Sequence, residues 1–281
     1  MFPIGNRGFK SHPLRTPFTV RRPMGRSIIV ANQKGGVGKT TTVVNLSAYI
    51  AQGGMRTLVV DLDSQGNSCS GLGVVKDGGK QGLYEALLGL VGIEKIIYPT
   101  KINNLSIVPS NINLSGAQVE LVTMPEREFR LKRVIDVVRD RYDFILIDSP
   151  PSLGLLTING FVASDSVIIP IQCEYYALEG LSQLLKTINL VRQRLNSDLK
   201  LEGVLLTMYD TRNNLSKQVM EEIVAYFKSR VYKTVIPRNV KLAEAPSYGQ
   251  PISIYDPKSV GALSYYNLSK EIVKNGEKST G

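Results

Sequence analysis

The sequence predicts an α/β fold: a doubly wound, mostly parallel sheet of about seven or eight strands, with helices on both faces. Three observations carry that prediction. Short apolar runs at 28–31, 57–61, 105–108, 144–147, 166–171 and 203–208 read as strands, and their unbroken apolar character marks strands buried on both faces. Patterns with helical spacing lie between them, and such alternation requires parallel pairing through right-handed crossovers. The first run opens directly into a glycine-rich stretch and then a helix.

That stretch reads Gln33-Lys34-Gly35-Gly36-Val37-Gly38-Lys39-Thr40-Thr41, and Val43, Val44, Leu46, Ala48, Tyr49 and Ile50 continue it as a helix. Strand, glycine turn, lysine, hydroxyl, helix is the layout of a phosphate-binding loop, which makes the expected fold that of a P-loop NTPase. Glycines let backbone N–H groups converge on phosphate oxygens with no Cβ in the way. The helix start adds unpaired donors and the positive end of a dipole. Lys39 can reach the β- and γ-phosphates of ATP or ADP, and the Thr40 hydroxyl can ligate Mg²⁺. One position departs from the general pattern: Gln33 stands where its first glycine belongs, and a second lysine, Lys34, follows.

Composition narrows the class. A chain of 281 residues suits one large α/β domain or two small ones. No apolar run approaches the roughly 20 residues of a membrane span. Two cysteines, Cys69 and Cys173, form no CxxC pair, which disfavours a disulfide framework or a zinc site. The single histidine, His12, leaves histidine chemistry without a candidate in the folded part. Net charge is +10, unevenly spread. Residues 1–26 hold six basic side chains and no acid, residues 27–191 are nearly balanced, and 192–258 hold 11 basic against 7 acidic. Excess charge away from the nucleotide half suggests a polyanionic partner.

In chain order, residues 1–24 carry prolines, arginines and no apolar period, and read as a disordered basic extension. Residues 25–275 read as one ATPase domain and 276–281 as a polar tail. After the first helix, Gly53-Gly54 breaks the pattern before strand 57–61. Asp61-Leu62-Asp63 ends that strand, where carboxylates face the ligand crevice of an open α/β sheet. Residues 68–82 read as a glycine-rich loop, 83–88 as a short helix, 105–108 as a strand, and 113–122 and 127–140 as helices split at Pro125. Phe144-Ile145-Leu146-Ile147-Asp148 is a Walker B strand, and Asp148 would hold Mg²⁺ through its water shell. Strand 166–171, helix 177–194, strand 203–208, helix 214–229 and a short strand at 232–236 follow. The last helix, about 259–273, puts Val260, Leu263 and Ile272 on a packing face.

The motifs taken together resemble one family. Lys34-Gly35-Gly36-Val37-Gly38-Lys39-Thr40 is similar to the deviant Walker A loop of the ParA/MinD group of ATPases. Asp61-Leu62-Asp63-Ser64-Gln65-Gly66-Asn67 resembles the ParA switch motif, with Ser64 where proline is usual. Asp148-Ser149-Pro150-Pro151-Ser152-Leu153-Gly154 resembles the ParA form more than the MinD form. Residues 236–249 look very like the chromosomal ParA/Soj signature. The likeness spans about residues 25–273.

That resemblance implies an ATP hydrolase of weak intrinsic activity, serving chromosome or plasmid segregation. It implies that Asp63 positions the attacking water and joins Thr40 and Asp148 around Mg²⁺. The amides of Gly35, Gly36, Val37, Gly38 and Thr41 would cradle phosphates, and the base would rest near Met208, Pro237 and Asn239. Lys34 would reach the partner's phosphates in an ATP-dependent homodimer, adding positive charge where the transition state spreads negative charge. The dimer would bind double-stranded DNA nonspecifically, with Arg212, Arg238 and Lys241 as candidate phosphate contacts. A ParB-type (Spo0J-like) centromere-binding protein would stimulate hydrolysis, and the protein would be cytoplasmic and nucleoid-associated, with no membrane role.

Other readings are weaker. A nucleotide-gated regulator of replication initiation or transcription shares every motif. A MinD-like positioning ATPase would end in a basic amphipathic membrane helix, which is not evident here. A nitrogenase-iron-protein-like reductase would need suitably placed cysteine ligands. A bacterial tyrosine kinase would end in a tyrosine cluster, whereas Tyr265-Tyr266 lies inside a helix and reads as packing.

Overall fold

The structure, a computed structural model, describes residues 25–74, 81–174 and 179–278. The expected extension at 1–24 lies outside the described residues, as do residues 279–281 of the expected tail. In order the elements are β1 (Arg26–Val30), α1 (Lys39–Gln52), β2 (Thr57–Asp61), α2 (Asn67–Gly71), α3 (Leu83–Leu88), β3 (Tyr98–Pro99), β4 (Leu105–Val108), α4 (Leu114–Val122) and α5 (Arg130–Asp136). Then come β5 (Phe144–Asp148), α6 (Leu155–Val162), β6 (Ser166–Gln172), α7 (Glu179–Arg194), β7 (Lys200–Thr207), α8 (Asn214–Phe227), α9 (Val240–Glu244), α10 (Ile252–Tyr255) and α11 (Val260–Lys278).

Seven strands form one sheet in the order β3-β4-β2-β5-β1-β6-β7. Every pair is parallel except the short edge pair β3 with β4. Alternate side chains of a strand face opposite sides, and the core divides accordingly. Ile29, Leu58, Val60, Ile145 and Ile147 pack with α3 to α8. Ile28, Val30, Val59, Phe144 and Leu146 pack with α1 and α11 on the other face. This is the doubly wound sheet expected, with helices on both faces.

The differences from the sequence reading have local causes. Residues 232–236 form no strand. Tyr232 donates to Val204 O and Ile236 to Leu206 O, but only isolated bridges form, and Pro237 has no N–H to extend a ladder. Of the expected loop at 68–82, residues 68–71 are helical, within α2, and 75–80 lie outside the described residues. The expected helix at 127–140 is a 3₁₀ turn at Arg127–Phe129, then α5, then a second 3₁₀ turn at Arg139–Arg141. Strand β3 and helices α6, α9 and α10 are additional to that reading. Helix α11 continues past 273 to Lys278. It packs through Ala262, Tyr265, Leu268 and Ile272, whereas Val260 and Leu263 are exposed. The Tyr265 hydroxyl meets Thr42 Oγ1 at 3.2 Å, which ties α11 to α1.

Candidate active site

The C-terminal ends of β1, β5 and β2 lie side by side. Register places Asp148 beside both Val30 and Asp61, so the loop leaving β1 and two strand-end carboxylates share one edge. That loop is pinned on both flanks. Asn32, buried, donates to Pro170 O at 2.7 Å and accepts the Lys34 N–H at 3.0 Å. Thr207, at the end of β7, donates its hydroxyl to Val37 O at 2.9 Å. Gly36 and Gly38 have φ of 74° and 89°, a left-handed backbone that favours glycine. A Cβ added at Gly35 or Gly36 would meet nothing within 4 Å, so at Gly36 it is the backbone angle that asks for glycine. Helix α1 starts at Lys39 with no side-chain cap and no acidic residue in its first turn, leaving its N-terminal donors and dipole for an anion. Thr40 and Thr41 stand in that first turn.

Lys39 is buried and donates Nζ to Lys34 O at 3.0 Å. Burial lowers its pKa, against opposing pulls from Asp148 and Asp63. A phosphate group would restore the charge that burial penalises. Asp148 is also buried. Its Oδ2 accepts the Ser68 hydroxyl at 2.8 Å, and its Oδ1 has no hydrogen-bond partner. Burial pushes its pKa up to about 6, against the lowering effect of the Ser68 and Thr40 hydroxyls. Asp61, equally buried, is pushed up to about 8 by burial and by Asp148, while the backbone N–H groups of Cys69 and Asp63 donate to it at 3.2 and 3.3 Å. Burial and repulsion between carboxylates thus push both carboxyls above the ordinary carboxylate range and couple their titrations. Asp63 is half-buried at the mouth of the site, and its Oδ1 accepts the Gln65 N–H at 3.0 Å.

A buried carboxylate with one oxygen left without a hydrogen bond, on which the Thr40 hydroxyl also acts, fits a hard cation that takes oxygen ligands. Among the described residues no cluster of three or more His, Cys, Asp or Glu could hold a metal. A Mg²⁺ here would draw its remaining ligands from phosphate and water.

Met208, Pro237 and Asn239 line a cavity of about 330 Å³, which Gly38, Thr41 and Thr207 share. Ile236, Leu242 and Tyr265 give it apolar walls. Met208 holds φ at 51°, and Asn239 Oδ1 is a buried acceptor without a partner. An apolar slot with one unused acceptor suits a heteroaromatic base next to the phosphate loop.

Lys34 differs from Lys39. Its ammonium is part-exposed and lies 3.4 Å from Glu174 Oε2. The same carboxylate sits 3.6 Å from Arg238 and also accepts from Gln172. Arg212 and Arg238 both bear on Asp210, whose pKa falls to about 2 chiefly through its Arg212 hydrogen bonds. Lys241, on α9, pairs with Glu244 at 2.8 Å. All three candidate DNA contacts are exposed, and each has a carboxylate partner. The sequence reading did not single out Asn32, Ser68, Glu174 or Thr207. Thr207 carries a faint signal, a hydroxyl ending an apolar strand, and the others carry none before folding.

Residues 25–201 match the family model described as an AAA domain. The chain is 58% identical over 253 residues to the sporulation initiation inhibitor protein Soj of Bacillus subtilis strain 168, covering 90% of this chain and 100% of that protein. It is 54% identical over 251 residues to the chromosome partitioning protein ParA of Myxococcus xanthus strain DK1622, covering 89% of each. Among solved structures, cobyrinic acid a,c-diamide synthase from Mycobacterium smegmatis with bound ADP and magnesium superposes with a TM-score of 0.80 at 37% identity, over 90% of this chain and 96% of that one. With this site and relatives this similar along most of its length, the chain belongs to the ParA/Soj family.

Proposed function

We propose that this chain is a partitioning ATPase that hydrolyses ATP to ADP and phosphate and uses the nucleotide to switch between a DNA-bound dimer and a free monomer. The observation that carries the reading is the division between two lysines of one loop. Lys39 is buried beside Asp148 and serves the nucleotide of its own chain, while Lys34 is part-exposed and paired with Glu174. Loop amides and Lys39 bind and orient the phosphates, and Met208, Pro237 and Asn239 seat the base. Thr40 and Asp148 would hold Mg²⁺, with Asp63 beside them. When bound, the ion neutralises charge on the phosphate oxygens. Asp63 orients the attacking water. Lys34, released from Glu174, reaches a second copy's phosphates, so turnover requires pairing and is slow in the monomer.

DNA binding in this reading is nonspecific and confined to the dimer, with Arg212, Arg238 and Lys241 on phosphates. A ParB-type partner stimulates hydrolysis, and the ADP form releases the nucleoid. The relatives' names, chromosome partitioning protein and ATPase among them, support this assignment. The test is ATP-dependent DNA binding with and without the candidate ParB-type partner, across salt. Binding that ignores nucleotide would reject it. A second reading is a nucleotide-gated regulator of replication initiation or transcription, and the Bacillus relative, named a sporulation initiation inhibitor, is itself named for a regulatory role. Tracking origin position and replication timing in cells carrying an Asp63→Ala variant separates the two.

A further inference from the structure

The two oxygens of the Asp148 carboxylate are not equivalent. Oδ2 accepts the Ser68 hydroxyl at 2.8 Å, Oδ1 has no hydrogen-bond partner among the described residues, and the Thr40 hydroxyl also acts on the carboxylate. Both residues are 0% exposed, so solvent does not compete for the bond. A carboxylate's final torsion is broad and nearly two-fold, so strand β5 alone does not set its plane. A fixed hydroxyl on one oxygen restricts it.

Ser68 itself is well fixed. It lies in α2, directly after the loop that carries Asp63. The next residue, Cys69, donates its N–H to Asp61 at 3.2 Å. Two residues on, Gly71 packs so closely on α1 that an added Cβ would stand 2.9 Å from Val44. At Gly73, φ is 68° and an added Cβ would stand 2.6 Å from the Gly249 carbonyl oxygen. Helix α2 and the turn after it therefore pack closely against α1 and the backbone at Gly249, and the hydroxyl arrives from that packed support.

We infer that Ser68 is a positioning residue for magnesium: by occupying Oδ2 it sets the Asp148 carboxylate so that Oδ1 is left for the ion's ligand shell. Ser68 belongs to neither the glycine loop nor the Asp148 strand. The inference rests on the nucleotide and Mg²⁺ reading of the site. Removing a hydrogen-bond partner from a carboxylate beside a metal commonly weakens metal affinity by about 10- to 100-fold.

The experiment titrates MgCl₂ into the full chain with a fluorescent, non-hydrolysable ATP analogue, reading equilibrium binding rather than turnover. In Ser68→Ala the Mg²⁺ concentration giving half the enhancement rises about tenfold. Analogue affinity without Mg²⁺ and the melting temperature stay at the wild-type values. Ser68→Cys keeps the volume with a weaker donor and shifts the midpoint the same way, which preserves the test should the alanine variant fail to fold. An unchanged midpoint in either folded variant overturns the inference. So does a parallel loss of Mg²⁺-free affinity and melting temperature, which marks a purely structural contact. If wild-type binding does not respond to Mg²⁺ at all, the reading of the site fails first, and that outcome is distinguishable.

Discussion

Lys34 and Lys39 share one loop and differ in their surroundings, and that difference sets what each substitution does. Lys39→Ala removes the buried cation that faces Asp148 and the phosphates, so ATP binding itself should be lost in a filter or fluorescence assay. Lys34→Ala leaves that pocket intact. It should bind ATP yet neither dimerise nor hydrolyse, and normal hydrolysis would show that the second lysine does not act across subunits. Asp63→Ala should trap the ATP dimer on DNA, and rapid release would reject its role with water. The buried carboxyls make a different prediction. The Asp61 pKa is raised from its ordinary 3.8 to about 8. The folded chain thus holds more protons than the unfolded one across that window, and nucleotide-free stability should fall as pH rises through it. Asp61→Asn resembles the protonated form and should flatten the fall, which thermal melts across pH would reveal.

At the scale of elements, the site depends on connections between strand ends. Thr207 closes β7 and clips the phosphate loop by one buried bond to Val37 O. Thr207→Val keeps the shape and removes the donor. It should cost about 1 kcal/mol of stability and weaken nucleotide binding, measured by denaturant unfolding and by titration. The long strands and α1 were legible in the sequence because continuous apolar runs and the glycine break at 53–54 are local signals. The stretch at 232–236 was not. Its apolar character comes from Tyr232 packing over Gly203 and Ile236 packing into the core, rather than from a ladder. Helix α2 was missed because Asn67–Gly71 is short and rich in serine and glycine, poor helix formers held here by tertiary contacts.

At the scale of the molecule, charge and topology act together. Beyond the basic N-terminal stretch, excess basic charge sits in residues 192–258, which contribute β7, α8, α9 and the turn carrying Arg238. Reversing the charge at Arg212, Arg238 and Lys241 together should weaken DNA binding and flatten its salt dependence without changing nucleotide affinity. Unaltered DNA affinity would remove these residues from the interface. By itself the sequence determined the sheet, the glycine loop with its two lysines and the carboxylates at the strand ends, because period, glycine placement and strand-end acids are written locally. Only the tertiary structure decided that Glu174 is shared by Lys34 and Arg238, that Asn32 and Thr207 brace the loop, and that Ser68 holds Asp148. These contacts join residues far apart in the chain. Each exists because parallel strands bring their C-terminal ends to one edge, and a single sequence does not record which ends will meet.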